Sequence, residues 1–243
     1  MDIGTLLGLI FGFGAVFGGQ LLEGGKISAL IQPTSFLIVV GGTMGAVFVS
    51  FPLSTIITAM KDVMGAFIHK EEDPAELIQM MATYADKARR TGLLALEEEI
   101  AKTKDRLIRK GISLMVDGAE VGLFREFMEI EIATFEEESK ASAEVFEAAG
   151  GFSPTIGIIG AVLGLIQVMS NLSDTEKLGE GIAVAFVATI YGLMLANIIA
   201  IPLGTRLKKR MKEKLMLKEI VFEGFQAIMQ GENPRLIVEK LQG

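Results

Sequence analysis

Long apolar stretches without a single charged residue dominate the hydrophobic pattern of this 243-residue chain. Four such stretches occur, at 3–22, 27–60, 148–173 and 181–205. A helix of about 20 apolar residues crosses the hydrocarbon core of a bilayer, so each stretch is long enough to span one. The pattern therefore predicts an all-α, polytopic membrane protein with four transmembrane helices and a helical cytoplasmic domain between spans 2 and 3.

Two prolines and the charged residues set the expected boundaries of these segments. The second stretch is longer than one span needs, and Pro33 favours a helix start at its position. Pro52 lies near the inner end of that span, where it can kink the helix. The expected order is transmembrane helix 1 at 1–22, a short extracytoplasmic segment at 23–33, transmembrane helix 2 at 34–57, a cytoplasmic helical domain at 58–147, transmembrane helix 3 at 148–173, an extracytoplasmic loop at 174–180, transmembrane helix 4 at 181–205 and a basic, amphipathic cytoplasmic tail at 206–243.

Lysine and arginine are distributed unevenly around the four spans. The two short connections hold only Lys26 and Lys177, whereas the segments 61–147 and 206–218 hold many basic residues. Cytoplasmic loops of membrane proteins carry an excess of lysine and arginine. Both termini and the large middle segment are therefore expected in the cytoplasm. The chain opens without basic residues and its first apolar run is long, so we expect a retained span rather than a cleaved signal.

The composition excludes several kinds of chemistry. The chain has no cysteine and a single histidine, His69, so it can build neither a disulfide framework nor a zinc site. No nucleophile–base set or phosphate-binding loop is visible, so we expect no enzyme activity, cofactor, metal site or nucleic-acid partner. Because no charged side chain lies inside a span, any group that titrates within the membrane must come from another chain.

Small residues recur at helical spacing in spans 3 and 4. Span 3 carries Gly157, Gly160 and Gly164, and span 4 carries a small residue at every fourth position from Ala188 to Ala200. Helix association in lipid relies on such residues, because they let two backbones approach closely. The plainest interpretation is tight packing between spans 3 and 4 of one molecule.

Polar residues and prolines within the two spans are candidates for function. Thr155 and Thr189 carry hydroxyls that need a partner when buried, but threonine can bond its own backbone one turn back, so neither must line a pore. Asn197 is harder to satisfy locally and is expected to face protein. Pro154 can start its helix, whereas Pro202 lies inside an apolar run and can loosen the last turn. Pro202 is therefore a candidate for transmitting motion between membrane and cytoplasm.

Five short motifs follow one another along nearly the whole chain. They are ARRTGLLALE at 88–97, KG at 110–111, VDG at 116–118, PTIGIIGAVLGLI at 154–166 and GIAVAFVATIYG at 181–192. In this order the chain resembles the flagellar motor stator A-subunits, the MotA/PomA family. The resemblance implies a cation channel complex of the bacterial cytoplasmic (inner) membrane. In that complex five A-subunits surround a dimer of MotB-like B-subunits, which supply the ion-binding aspartates.

The resemblance also implies a role for particular residues. Ion flow is expected to turn the A-subunit ring around the peptidoglycan-anchored B-subunits and to apply torque to the rotor protein FliG. Thr189 matches the family threonine near the partner aspartate, and Pro154 and Pro202 match two prolines of conformational coupling. The residues matching the FliG contact are Arg89 and Glu97, with Arg90 and Glu98 alongside them.

One position of the resemblance bears on the transported ion. Sodium-driven relatives carry threonine seven residues after the first of the two prolines, and this chain has Ala161 there. Alanine offers no oxygen ligand to sodium, so protons are expected. The expected ion pathway therefore comprises Thr189, Ala161 and Thr155.

Other functions remain open from the residues alone. An ExbB/TolQ-like energiser of envelope transport resembles the last two spans, but such proteins usually have three spans. A sodium-driven stator differs only in the ion. A structural scaffold would explain the glycines but not Thr189 or Pro202. A stand-alone transporter is disfavoured, because transporters usually place ionisable residues or broken helices in the membrane.

Overall fold

Helices account for nearly all of the residues that the structure, a computed structural model, describes. These residues are 3–68, 73–170, Leu172 and 175–242, so His69 lies outside them. No strand occurs within these ranges, and four of the helices are long and apolar enough to cross a membrane. The predicted all-α fold with four spans is confirmed.

The helices follow one another with short connections. In chain order they are α1 (Ile3–Leu22), α2 (Pro33–Ser50), α3 (Leu53–Ile68), α4 (Pro74–Thr91), α5 (Glu97–Ile100), α6 (Arg106–Val116), α7 (Val121–Ser170), α8 and α9 (Pro234–Gln242). Helix α8 consists of Thr175–Met194, a π-helical turn at Leu195–Ala200 and Ile201–Met229. Helix α2 also contains a π-helical turn, at Leu37–Gly41, and 3₁₀ turns lie at Ile27–Leu30 and Leu93–Leu96.

The chain divides into two compact units, to which α7 and α8 both contribute. The membrane unit comprises 1–69 and 139–209 and contains the four apolar spans. The polar unit comprises 70–138 and 210–243. Most of the segment predicted as a separate tail, 206–243, therefore packs with the predicted cytoplasmic domain in one unit.

The second span is shorter than predicted. It was expected to run over 34–57 with a kink at Pro52, but α2 ends at Ser50. Phe51 has an extended backbone, with φ −131° and ψ 145°. The residue before a proline is disfavoured in the helical region, so Pro52 ends one helix and starts the next. Helix α3 then packs along α7, where the hydroxyl of Ser142 donates to the Asp62 carboxylate at 2.7 Å.

The helices that carry the third and fourth spans begin before the predicted spans do. Helix α7 extends unbroken over Val121–Ser170, so Pro154 does not lie in a first turn. Membrane helices tolerate an internal proline because neighbouring helices compensate for the lost backbone bond. Helix α8 begins at Thr175, within the loop predicted at 174–180. Helix-forming residues such as Leu178 let the helix include this charged segment ahead of the apolar span.

The polar unit has a hydrophobic core of its own. Phe124 of α7 and Phe225 of α8 meet edge to face, with ring centroids 6.3 Å apart. Gly111 of α6 lies against the Phe225 ring, because a Cβ there would be 2.5 Å from a ring carbon. Fully buried side chains around this contact include Met81, Leu96, Leu107, Ile112, Met115, Met128 and Ile237.

Candidate functional site

Helices α7 and α8 pack backbone against backbone in the membrane unit. A Cβ on Gly192 would lie 2.5 Å from the Ser153 carbonyl oxygen, and one on Gly164 would lie 2.7 Å from the Gly181 carbonyl oxygen. No side chain larger than hydrogen fits at these positions. The small residues predicted to allow close packing therefore join spans 3 and 4 of one molecule.

Helix α2 packs on this pair as a third element. The hydroxyl of Ser35 donates to the Val184 carbonyl at 3.0 Å. The hydroxyl of Tyr191 donates to the Leu30 carbonyl, and its ring meets Phe36 edge to face at 6.4 Å. These contacts hold α8 from one side while its opposite face stays exposed within the protomer.

Thr189 lies at the close contact between α7 and α8. A Cβ on Gly157 would be 3.5 Å from the Thr189 Cα. The Thr189 side chain is half-buried, and its hydroxyl donates to the Ala185 carbonyl at 3.2 Å. A hydroxyl that donates its hydrogen in this way still has lone pairs free to accept one. Thr189 thus presents a fixed acceptor oxygen at the edge of the helix pair.

One of the two other predicted pathway residues lies on the face of α7 that packs against α8. Ala161 is half-buried and lies one turn after Gly157, and residues four apart share a helix face. Thr155 lies two residues before Gly157 and so points to another side of α7. It is exposed, and its hydroxyl donates to the Phe152 carbonyl at 2.7 Å.

Both predicted coupling prolines lie inside continuous helices. The Cα of Pro154 is 3.2 Å from the position of a Cβ on Gly192, so it belongs to the contact between α7 and α8. Beside it, the Ser153 hydroxyl is buried and has no hydrogen-bond partner among the described residues. Pro202 is exposed and lies two residues after the end of the π-helical turn Leu195–Ala200. Each proline removes a backbone donor, and π turns occur frequently at functional sites.

Asn197 was expected to be hard to satisfy locally and to face protein, and within the protomer it is exposed. Its side-chain amide donates to the Leu193 carbonyl at 3.0 Å. The π-helical turn that contains it is not visible in the apolar pattern, because periodicity does not resolve one inserted residue. Asn197 was not among the ion-pathway residues predicted from the sequence.

A second candidate site lies in the polar unit, at the turn between α4 and α5. Gly92 turns the chain there with φ +88°, a conformation that side chains rarely adopt. Leu96 is fully buried behind the turn and anchors it. All four predicted rotor-contact residues are exposed on this turn, namely Arg89, Arg90, Glu97 and Glu98.

The ion pairs of this turn separate the four residues into two groups. Arg90 pairs with Asp86 at 3.0 Å, and Glu98 pairs with Lys87 at 3.4 Å. Within the part of the chain that the structure describes, Arg89 and Glu97 make no ion pair or side-chain hydrogen bond. Arg89 and Glu97 are therefore the two charges that remain available to a partner.

Two lysines hold the Glu99 carboxylate beside this turn. Glu99 is mostly buried and accepts from Lys87 at 2.8 Å and from Lys102 at 3.0 Å. The hydrogen bond from Lys87 holds the pKa of the Glu99 carboxyl below its usual value, and the bond from Lys102 acts in the same direction. The same bond to Glu99 raises the pKa of Lys87. Both groups thus stay charged at neutral pH.

Comparison with known proteins covers nearly the whole chain. Residues 6–92 match the family described as "Motility protein A N-terminal", and residues 99–220 match the "MotA/TolQ/ExbB proton channel family". Motility protein A of Bacillus subtilis (strain 168) is 37% identical over 246 residues, which cover 99% of this chain and 90% of the relative. Chemotaxis protein PomA of Vibrio alginolyticus is 38% identical over 238 residues, which cover 98% and 92%.

Two solved structures are similar in fold. A structure of C. jejuni MotAB has a TM-score of 0.92 and 31% identity, over 99% of this chain and 94% of that one. The flagellar MotAB stator complex from Bacillus subtilis has a TM-score of 0.88 and 36% identity, over 97% and 92%. These relatives carry motility, chemotaxis and stator names, and none carries the name of an enzyme.

Proposed function

The chain belongs to the MotA/TolQ/ExbB proton channel family, and we propose that it is the ion-conducting A-subunit of a flagellar motor stator. The full-length similarity to MotAB stator structures carries this proposal. With a B-subunit it couples inward cation flow to rotation of its own ring and so applies torque to the rotor. The ExbB/TolQ-like alternative is disfavoured, because those proteins usually have three spans and this chain has four.

The spans need a partner to conduct protons. They carry no charged residue and therefore lack a group that can hold a proton. A MotB-like B-subunit dimer inside a homo-oligomer, a pentamer by family resemblance, supplies the aspartate. The assembly lies in the bacterial inner membrane with both termini in the cytoplasm, as the basic residues favour.

Thr189 receives the partner carboxyl in this proposal. Its hydroxyl donates to the Ala185 carbonyl, so its oxygen can only accept. A protonated carboxyl or a water molecule is a donor and therefore fits, whereas an ionised carboxylate does not. Thr189 thus favours the protonated state of the partner aspartate, and release of the proton weakens the contact. Pro154 and Pro202 border the same helix pair and couple this step to movement of α7 and α8.

Protons fit the site better than sodium. Sodium needs several oxygen ligands in place of its hydration shell, and Ala161 offers none on the α7 face that adjoins Thr189. Thr155 points elsewhere and bonds its own backbone.

Swimming assays test the function and the ion together. In a stator-less strain that expresses this chain with a MotB-like B-subunit, we expect swimming at equal speed when potassium replaces sodium at constant pH. A protonophore is expected to stop swimming in both media. Swimming only with sodium would overturn the proton assignment and keep the stator. Normal membrane insertion without rescue by any flagellar B-subunit would favour the ExbB/TolQ-like function instead.

Charge reversal at the α4–α5 turn tests rotor contact. We propose that Arg89 and Glu97 dock on FliG, because complementary charges steer and align a contact. Arg89→Glu and Glu97→Lys are each expected to reduce torque in tethered cells by more than half, with membrane levels and proton flux unchanged. Arg90→Glu and Glu98→Lys should have smaller effects, since each residue already pairs within the turn.

The exposed Lys104 offers a matched control for these reversals. Lys104→Glu changes the net charge as Arg89→Glu does, but at a position beyond the end of α5. Equal loss of torque in Lys104→Glu and Arg89→Glu would show a general charge effect and contradict the proposed contact.

A further inference from the structure

Polar side chains are unevenly placed on the exposed face of α8. Between 181 and 205 the exposed residues are Ile182, Phe186, Leu193, Asn197, Ile201, Pro202 and Thr205. The half-buried Thr189 adjoins the same face, midway between Phe186 and Leu193 in sequence. On the N-terminal side of Thr189 this face is entirely apolar, whereas on the C-terminal side it carries an amide and a second hydroxyl.

The π-helical turn keeps these polar residues in line. Within it the backbone N–H of Ile201 donates to the Ala196 carbonyl, five residues back. A π turn holds one more residue per hydrogen-bonded ring than an α turn, so positions four apart stay on one face rather than drifting around the helix. Leu193, Asn197 and Ile201 are accordingly all exposed. The turn therefore aligns Asn197 with the stripe that starts at Thr189.

Asn197 is the residue that cannot face lipid. Thr205 satisfies its own hydrogen by donating to the Ile201 carbonyl at 3.0 Å, as Thr189 does with Ala185. Asn197 donates one amide hydrogen to the Leu193 carbonyl, but an amide has a second hydrogen and a carbonyl oxygen. Leaving such groups without a partner in hydrocarbon costs several kcal/mol. Polar groups inside a span therefore face a water-filled cavity or the bundle interior.

We propose that Asn197 and Thr205 line a hydrated path that carries the proton from the Thr189 site to the cytoplasmic face. The inference rests on the proposed stator function and on the predicted orientation of α8. In this path Thr189 accepts from the protonated partner carboxyl, and water held by Asn197 and Thr205 takes up the released proton. Beyond Thr205 the charge-free stretch ends, so the path opens to solvent there. The polar residues thus lie on the side of Thr189 where the proton leaves.

Cysteine accessibility tests the path without any need for transport activity. The chain has no cysteine, so a single substitution gives an unambiguous label when the B-subunit is also cysteine-free. In the assembled stator in inverted vesicles, Asn197→Cys and Thr205→Cys are expected to react with a membrane-impermeant maleimide. Leu37→Cys, at a residue 72% exposed in the protomer but in an apolar span, is expected not to react. Protection of Asn197→Cys as complete as that of Leu37→Cys would overturn the proposal.

Proton flux in proteoliposomes supplies the second measurement. Asn197→Leu, which keeps the volume and removes the amide, should lower the flux at least about tenfold, and Asn197→Gln should restore most of it. Ser50→Ala is the matched control, because Ser50 is also exposed in a span and donates to the carbonyl four residues back. Its flux should equal that of the wild type.

The outcomes separate this path from the stator function itself. Absence of flux in the wild-type complex, with a positive control conducting, would count against the proposed function. A conducting wild type with equal flux in Asn197→Leu would leave the function in place and overturn the path. Loss of the assembled complex in Asn197→Leu would also overturn it, since Asn197 would then serve as a contact between subunits.

Discussion

Replacing Thr189 by valine is expected to stop proton flux and swimming while the assembled complex keeps its normal level. Valine has the shape and the β-branching of threonine, so the close approach of α7 and α8 at Gly157 is kept. Only the hydroxyl is removed, and with it the acceptor oxygen that the Ala185 bond fixes in place. The partner carboxyl then has no polar group at this point of the span. The protonated carboxyl then has no hydrogen-bond acceptor at this point, and each proton exchange must pass through that unpaired state. The proton flux should therefore fall by about two orders of magnitude or more.

Two variants show whether this loss is specific to the hydroxyl. Thr189→Ser keeps the oxygen and should retain a large part of the flux. Thr83→Val makes the same change in α4, where the Thr83 hydroxyl likewise donates four residues back, to the Gln79 carbonyl. It should leave flux and swimming unchanged. The expectation fails if Thr189→Val conducts like the wild type, or if it loses flux only because the complex does not form.

Three prolines of the membrane unit, Pro52, Pro154 and Pro202, show what sequence reasoning can and cannot predict here. The apolar stretches were sufficient to predict four spans, because hydropathy and length fix how many helices can cross a bilayer. Pro52 was expected to kink its helix, Pro154 to start one and Pro202 to loosen a last turn, but Pro52 ends its helix and the other two lie inside theirs. Pro154 and Pro202 lie within continuous helices, where packing against neighbouring elements offsets the lost backbone bond. That packing is tertiary, so it could not be predicted from local residues.

The candidate sites show the same division. Thr189 was placed in the pathway by resemblance, and the structure adds its hydrogen bond to Ala185 and its position beside Gly157. At the α4–α5 turn, Arg89 and Arg90 are neighbours of the same type, and only the resemblance distinguished them at the level of the sequence. The fold separates them, because Asp86 lies one turn before Arg90 and pairs with it. The stripe around Asn197 was missed because it depends on a π-helical turn.

A single methyl group on Gly192 is expected to remove most of the assembled complex. Its position would lie 2.5 Å from the Ser153 carbonyl oxygen and 3.2 Å from the Cα atoms of Gly157 and Pro154. All of these are backbone atoms, so no side chain can rotate away and α7 and α8 must separate. Overpacking of this kind costs about 1–3 kcal/mol. Gly192→Ala should therefore lower both the melting temperature of the purified complex and its level in membranes several-fold.

A methyl exchange at the same interface can test this explanation. A Cβ on Gly160 would lie 2.7 Å from the Ala188 Cβ, which is a side-chain atom that can be removed. Gly160→Ala alone should destabilise the complex, and adding Ala188→Gly should restore much of the loss, a coupling that a double-mutant cycle measures. Gly179→Ala is the control on α8, because no atom lies within 4 Å of its added methyl. If Gly179→Ala were as harmful as Gly192→Ala, or if Ala188→Gly gave no rescue, helix propensity rather than close packing would explain the small residues of these spans.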